Sequence, residues 1–144
     1  MLDDLYSDAL LEAAGSVPAA RTLPDADATA RRSSKVCGSS VELDLSVRDG
    51  VVADVALRVK ACALGQASAG IFARTAEGAT PAELHEAAAQ MRAMLKEDGP
   101  PPSNPRFAEA AKLQPIKAYP ARHASTLLVW DAAVDCLDQI AARA

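Results

Sequence analysis

The chain has 144 residues, 15 Lys and Arg against 19 Asp and Glu, and a formal net charge of −4. Half of its residues are apolar, which suffices for one domain over residues 1–144 with a buried core and argues against wholesale disorder. Aromatic residues are only 3%, and the charge is acidic, so neither base stacking nor phosphate-backbone binding is expected, and nucleic acid is set aside as a partner.

No run approaches the roughly eighteen apolar residues of a membrane helix. The opening Met1-Leu2-Asp3-Asp4 is acidic and lacks a basic stretch followed by an apolar run, so no secretory signal is expected. Three cysteines, Cys37, Cys62 and Cys136, are too few and too scattered for a disulfide framework. A reducing cytoplasm fits them, and there spaced thiols point to metal, sulfur chemistry or plain burial.

In chain order, Leu2, Leu5, Tyr6, Ala9, Leu10 and Ala13 recur at helical spacing and predict a helix over 2–14, with Gly15 as its stop. A polar connector containing Pro18 and Pro24 follows, and residues 27–35 carry a weak strand signal. Residues 41–47 alternate strictly, with Val41, Leu43, Leu45 and Val47 on one face and Glu42, Asp44 and Ser46 on the other. Residues 51–60 alternate again, and Arg48-Asp49-Gly50 between them predicts a tight antiparallel hairpin. The period then changes, and residues 66–74 read as helix. Thr80-Pro81-Ala82-Glu83 is a strong helix start, with Thr as cap, Pro at the first position and Glu at the third. That helix runs to about Lys96, where Asp98-Gly99-Pro100-Pro101-Pro102 ends it. Residues 107–113 predict a short helix, and residues 122–142 a long one with Leu127, Trp130, Val134 and Leu137 as its buried stripe. Helix, then two or three antiparallel strands, then mostly helices is an α+β order.

Cys37 lies just before the first clear strand and Cys62 just after the second. A tight hairpin brings the start of one strand beside the end of the other, so the two thiols are expected to be neighbours. Lys35 and Lys60 sit close to them in sequence and favour thiolate, the form that ligates metal or accepts sulfur. Cys62 also opens a helix, whose first N–H groups stabilise an anion. The competing reading is two buried small apolar residues. Cys136, in phase with Val129, Ala133 and Ile140, reads as a packed helix-face thiol. His123, at the start of the last helix, reads either as a ligand or acid/base group or as a capping polar residue. His85 reads as a solvated helix residue. There is no P-loop, GxGxxG, HExxH, GxSxG or CxxC, so no self-contained enzyme site is visible.

Several segments in a fixed order resemble the iron–sulfur cluster assembly scaffold family, the NifU N-terminal/IscU-like proteins, with the SufU-type branch as the nearer match. They are Cys37-Gly38 at the first strand, Ala61-Cys62-Ala63-Leu64-Gly65-Gln66-Ala67-Ser68-Ala69 leading into a helix, Gly78-Ala79-Thr80 before the next helix, and the segment from Pro120 and Arg122 to Leu128 and Trp130. The resemblance implies a small antiparallel sheet of about three strands with helices packed on one face. It also implies a site of three cysteines and one aspartate that holds zinc, or iron and a nascent [2Fe–2S] cluster. A cysteine desulfurase would supply the sulfur, and recipient apo iron–sulfur proteins would take the product. Two family positions map to Cys37 and Cys62. The family's aspartate maps to Ser39 and its third cysteine to Ser125.

Serine is a poor metal ligand at neutral pH, and two thiolates alone make a weak site. His123, two residues before Ser125, is the local substitute as a third ligand. The expected function is therefore a non-enzymatic scaffold or carrier that binds zinc, iron or a nascent cluster through Cys37 and Cys62 and receives desulfurase sulfur, with Cys62 as the persulfide acceptor. The alternative is a metal-free docking or persulfide-accepting module that keeps the scaffold fold.

Overall fold

The computed structural model describes residues 7–35 and 38–143. Helix α1 spans Asp8–Gly15, with the Ser7 hydroxyl accepting from the Leu10 N–H as its cap. Residues 2–6 of the expected 2–14 helix lie outside the described residues, as does Cys37.

Three strands follow: β1 (Ala28–Ser34), β2 (Ser39–Arg48) and β3 (Val51–Lys60). They form one antiparallel sheet with β2 in the centre. Positive φ at both Asp49 and Gly50 gives the β2–β3 turn the twist that a two-residue hairpin needs. The weak signal at 27–35 is a full strand. Ala28 and Ala30 face the core, while Arg31, Arg32 and Ser33 are exposed at the sheet edge.

Strand alternation sends Val41, Leu43 and Leu45 into the core. Asp44, on the other face, is held by the Arg58 guanidinium at 2.9 and 3.1 Å, the Leu23 N–H at 3.0 Å and the Thr29 hydroxyl at 2.8 Å. The Arg58 contact outweighs the opposing effect of burial, and with the Leu23 and Thr29 donors it lowers the Asp44 carboxyl to about 2. Residues 21–27 cross this polar face, and the helices pack on the apolar one.

Helix α2 spans Ala63–Thr75, α3 Pro81–Lys96 and α4 His123–Ala142. The start predicted at Thr80 is a full capping box. The Thr80 hydroxyl accepts from the Glu83 N–H, and the Glu83 carboxylate from the Thr80 N–H. The expected short helix at 107–113 is instead part of a 3-10 run over Pro105–Ala118, with Pro115 inside it, and a second short turn covers Pro120–Arg122.

Helix α4 lies against β1 and β2, and α2 and α3 pack on α4. Trp130 is fully buried, with Phe72 and Phe107 edge-on to it at 5.3 and 6.0 Å. Its indole N–H donates to the Ser68 hydroxyl, which donates to the Thr126 carbonyl at 2.6 Å. This buried chain fixes α2 against the first turns of α4. Helix α1 rests on α2 at Gly70, where an added Cβ would stand 2.2 Å from the Ala13 carbonyl oxygen. Arg74 bridges Glu12 of α1 and Glu109 of the 3-10 run. No helix among the described residues is long and apolar enough to cross a membrane.

Candidate functional site

The pairing of Ser40 with Lys60 places the start of β2 beside the end of β3, and Cys62 follows two residues later as the N-cap of α2. Its backbone is extended, its carbonyl starts the helix by accepting from the Gln66 N–H at 2.9 Å, and the residue is half-buried. The side chain lies at the positive end of the helix.

Gly65 lets α4 come close at this point. A Cβ there would meet the Ala61 Cβ at 2.8 Å and the Ser125 carbonyl oxygen at 3.3 Å. That approach sets the Ser125 Oγ 3.7 Å from the Cys62 Sγ. The Ser125 side chain is almost wholly buried, with 1% of the residue exposed. The same hydroxyl makes a long 3.3 Å bond to the Arg122 carbonyl, which also accepts from the Thr126 hydroxyl at 2.9 Å.

Burial opposes ionisation of Cys62. The Gly65 N–H, the Ser125 hydroxyl, the Leu64 N–H and the Arg122 charge outweigh it and hold the thiol below its ordinary range. Arg122 is the cation whose charge contributes to this lowering. Proximity along the chain singled out Lys60, whereas Arg122 arrives from the start of α4, a placement that only the tertiary packing produces.

The structure thus brings together Cys62 and Ser125, two of the positions that the resemblance maps to ligands. Ser39, a third, is 2% exposed, and its hydroxyl has no partner among the described residues. It shares the sheet face of Val41 and lies beside Ala61 by continuation of the Ser40–Lys60 register. Cys37, expected beside Cys62, lies outside the described residues.

The expected role of His123 as a third ligand meets an obstacle. Its Nε2 lies 3.1 Å from both the Ile116 and Lys117 carbonyls, so it carries the proton, and the buried ring is anchored to the 3-10 run. Residues two apart on a helix project to nearly opposite sides, and here Ser125 takes the side that faces Cys62. Among the described residues no three His, Cys, Asp or Glu side chains converge as a metal cage.

Cys136 is buried in α4, with its Sγ 3.5 Å from the Leu43 carbonyl. His85 is exposed and sits 3.2 Å from Asp138. Sequence reasoning missed Arg122 and the Ser68–Trp130 link. A cation one residue ahead of a helix that reaches a cysteine was the available signal for the first.

No protein-family model matches the chain. It is 28% identical over 136 residues, 94% of each chain, to the iron-sulfur cluster assembly scaffold protein IscU of Thermotoga maritima. It is 50% identical to a solved nitrogen-fixing NifU-like protein (N-terminal) of Brucella abortus, covering 99% of both chains with a TM-score of 0.95. A solved iron-sulfur cluster assembly scaffold protein for the SUF system from Fervidobacterium islandicum shares the fold, with a TM-score of 0.85 at 21% identity over 94% of this chain and 98% of that one.

Proposed function

We propose, since the chain belongs to the NifU/IscU-like family of iron–sulfur cluster assembly scaffold proteins, that Cys62 is the thiol at which it receives sulfur from a cysteine desulfurase. With Cys37, Cys62 then offers the sulfur ligands for a nascent iron–sulfur unit, carried as cargo to apo-protein recipients. One observation carries this reading. Cys62 is a half-buried thiol that caps the N-terminus of α2, with the Ser125 hydroxyl 3.7 Å from its sulfur.

The transfer step balances without an added oxidant. The Cys62 thiolate attacks the outer sulfur of the desulfurase's cysteine persulfide and a new S–S bond forms. The bond from that sulfur to the desulfurase cysteine breaks, and the desulfurase leaves as thiolate. The proton on the outer sulfur stays with it. The α2 N-terminus and Arg122 hold the attacking thiolate, while Lys35 and Lys60, both exposed, lie along the edge that a docking protein must approach.

The test is mass spectrometry of the Cys62 peptide after exposure to desulfurase and free cysteine, beside iron and zinc content of the wild type and of Cys37→Ala and Cys62→Ala. Addition of one sulfur to Cys62, and iron lost in both variants, is the expected result. Sulfur that never appears on Cys62 overturns it. Sulfur loading without iron or zinc in any form selects the alternative, a persulfide-accepting module with the scaffold fold.

A further inference from the structure

We propose that Ser125 determines what this site retains, making it a hydrogen-bond-donor cradle for an anionic sulfur on Cys62 in preference to a cage for a metal cation. This rests on Cys62 being the sulfur-receiving thiol.

The hydroxyl of Ser125 has one hydrogen and two partners. With a neutral thiol at Cys62, that hydrogen points along the 3.3 Å bond to the Arg122 carbonyl, and the Ser125 oxygen is free to accept from sulfur. When Cys62 carries a negative sulfur, the hydrogen turns to it. The Arg122 carbonyl is not orphaned by that turn, because the Thr126 hydroxyl still donates to it at 2.9 Å. The switch therefore leaves no buried group unpaired, the condition under which reorienting a hydroxyl is cheap.

The rest of the shell agrees. Cys62 is the N-cap of α2, so its side chain lies at the positive end of that helix. A helix N-terminus repels a cation for the same reason that it attracts an anion. Ser39 is an independent sign of the same character. It is a neutral hydroxyl, 2% exposed and unpartnered among the described residues, at the position where the family resemblance implies a carboxylate. At two of the implied ligand positions this chain offers O–H donors in place of anionic ligands. That donor set does not fit a retained zinc ion.

The experiment compares the wild type, Ser125→Ala and Ser125→Cys in three readouts: persistence of the sulfane sulfur on Cys62 against added thiol, alkylation of Cys62 at neutral pH, and cobalt(II) and zinc titration. Ser125→Ala is expected to shorten persistence and slow alkylation by about fivefold, the size of one hydrogen bond. Ser125→Cys is expected to gain zinc affinity by at least about tenfold and to show a thiolate-to-cobalt absorption band that the wild type lacks. A thermal melt of Ser125→Cys separates that gain from metal binding by an unfolded chain, and the readout stands even if Ser125→Ala proves unstable. Wild type and Ser125→Cys with equal zinc affinity, or Ser125→Ala with unchanged sulfur persistence and alkylation, overturns the inference. If no desulfurase sulfur reaches Cys62 in any form, the functional reading fails instead, and alkylation and metal titration still report on Ser125.

Discussion

Cys62 stands half-buried at the N-terminus of α2 with the Ser125 hydroxyl 3.7 Å from its sulfur, whereas Cys136 is wholly buried midway along α4, where Asp135 and Asp44 are the charges acting on it. The surroundings drive the two thiols apart. Cys62 is held below its ordinary range. Burial first, and then the two carboxylates, push Cys136 up to about 12. Residue type therefore says little about the chemistry of either. What decides it is whether the groups that face the sulfur are donors or acceptors, and whether water can reach it.

The largest effect expected from this contrast is complete loss. Cys62→Ala should abolish sulfur loading by a desulfurase while shifting stability by no more than about 1 kcal/mol, since the residue is only half-buried. Mass spectrometry and a thermal melt read both, and sulfur arriving on Cys136 instead would break the contrast. Next is reactivity in the native state. At neutral pH, Cys62 should alkylate roughly a hundredfold or more faster than Cys136, and the gap should close in denaturant. A time course on the two peptides shows whether it does.

The reverse substitution sharpens the other side. Cys136→Ser puts a hydroxyl in the core and should cost about 1 to 2 kcal/mol in urea unfolding. The Leu43 carbonyl at 3.5 Å offers it a partner, and sulfur loading should be unaffected. The smallest effect is in pH dependence. Below pH 9.0 both folded and unfolded Cys136 keep their proton. Between 9.0 and about 12 the unfolded thiol ionises and the buried one does not, so stability falls as pH rises through that window. Cys62 acts in the opposite sense. Its depressed value adds stability above 9.0, which is lost as pH falls through the folded value. Urea midpoints of Cys136→Ala and the wild type on either side of pH 9.0 should diverge above it and run parallel below it.

The parts of this molecule that were legible in the sequence are those set by local periodicity and capping. The alternation at 41–47 and 51–60, the turn at Asp49-Gly50 and the box at Thr80 and Glu83 all stand where their residue patterns put them. Strand β1 was faint because its core side carries only the small Ala28 and Ala30 before Arg32 breaks the alternation by reaching Asp135 of α4. The run at 105–118 misled because a 3-10 turn repeats every three residues, which a short helical pattern imitates.

In the site, the position of Cys62 at the start of a helix was readable, and the partnership with Ser125 followed from the family resemblance. The direction of His123 was not. Two residues of offset on α4 decide between the sulfur and the 3-10 run, and the start of that helix fixes the phase only once it packs on Gly65 and Ser68. Arg122 was equally hidden, because its effect on Cys62 spans sixty positions of chain.

Gly70 bears on how such a chain can change over generations. Main chain meets main chain there, with the Ala13 carbonyl occupying the place of a first side-chain carbon. The outward face of α1, where Leu11 is exposed, is thus open to drift without moving the helix. Position 70 has no such latitude. A single methyl group there forces α1 off its seat and pulls at the Arg74 bridge to Glu12 and Glu109. The sulfur at the far end of α2 is left in place, so inheritance can remodel the outer helix separately from the chemistry it shelters.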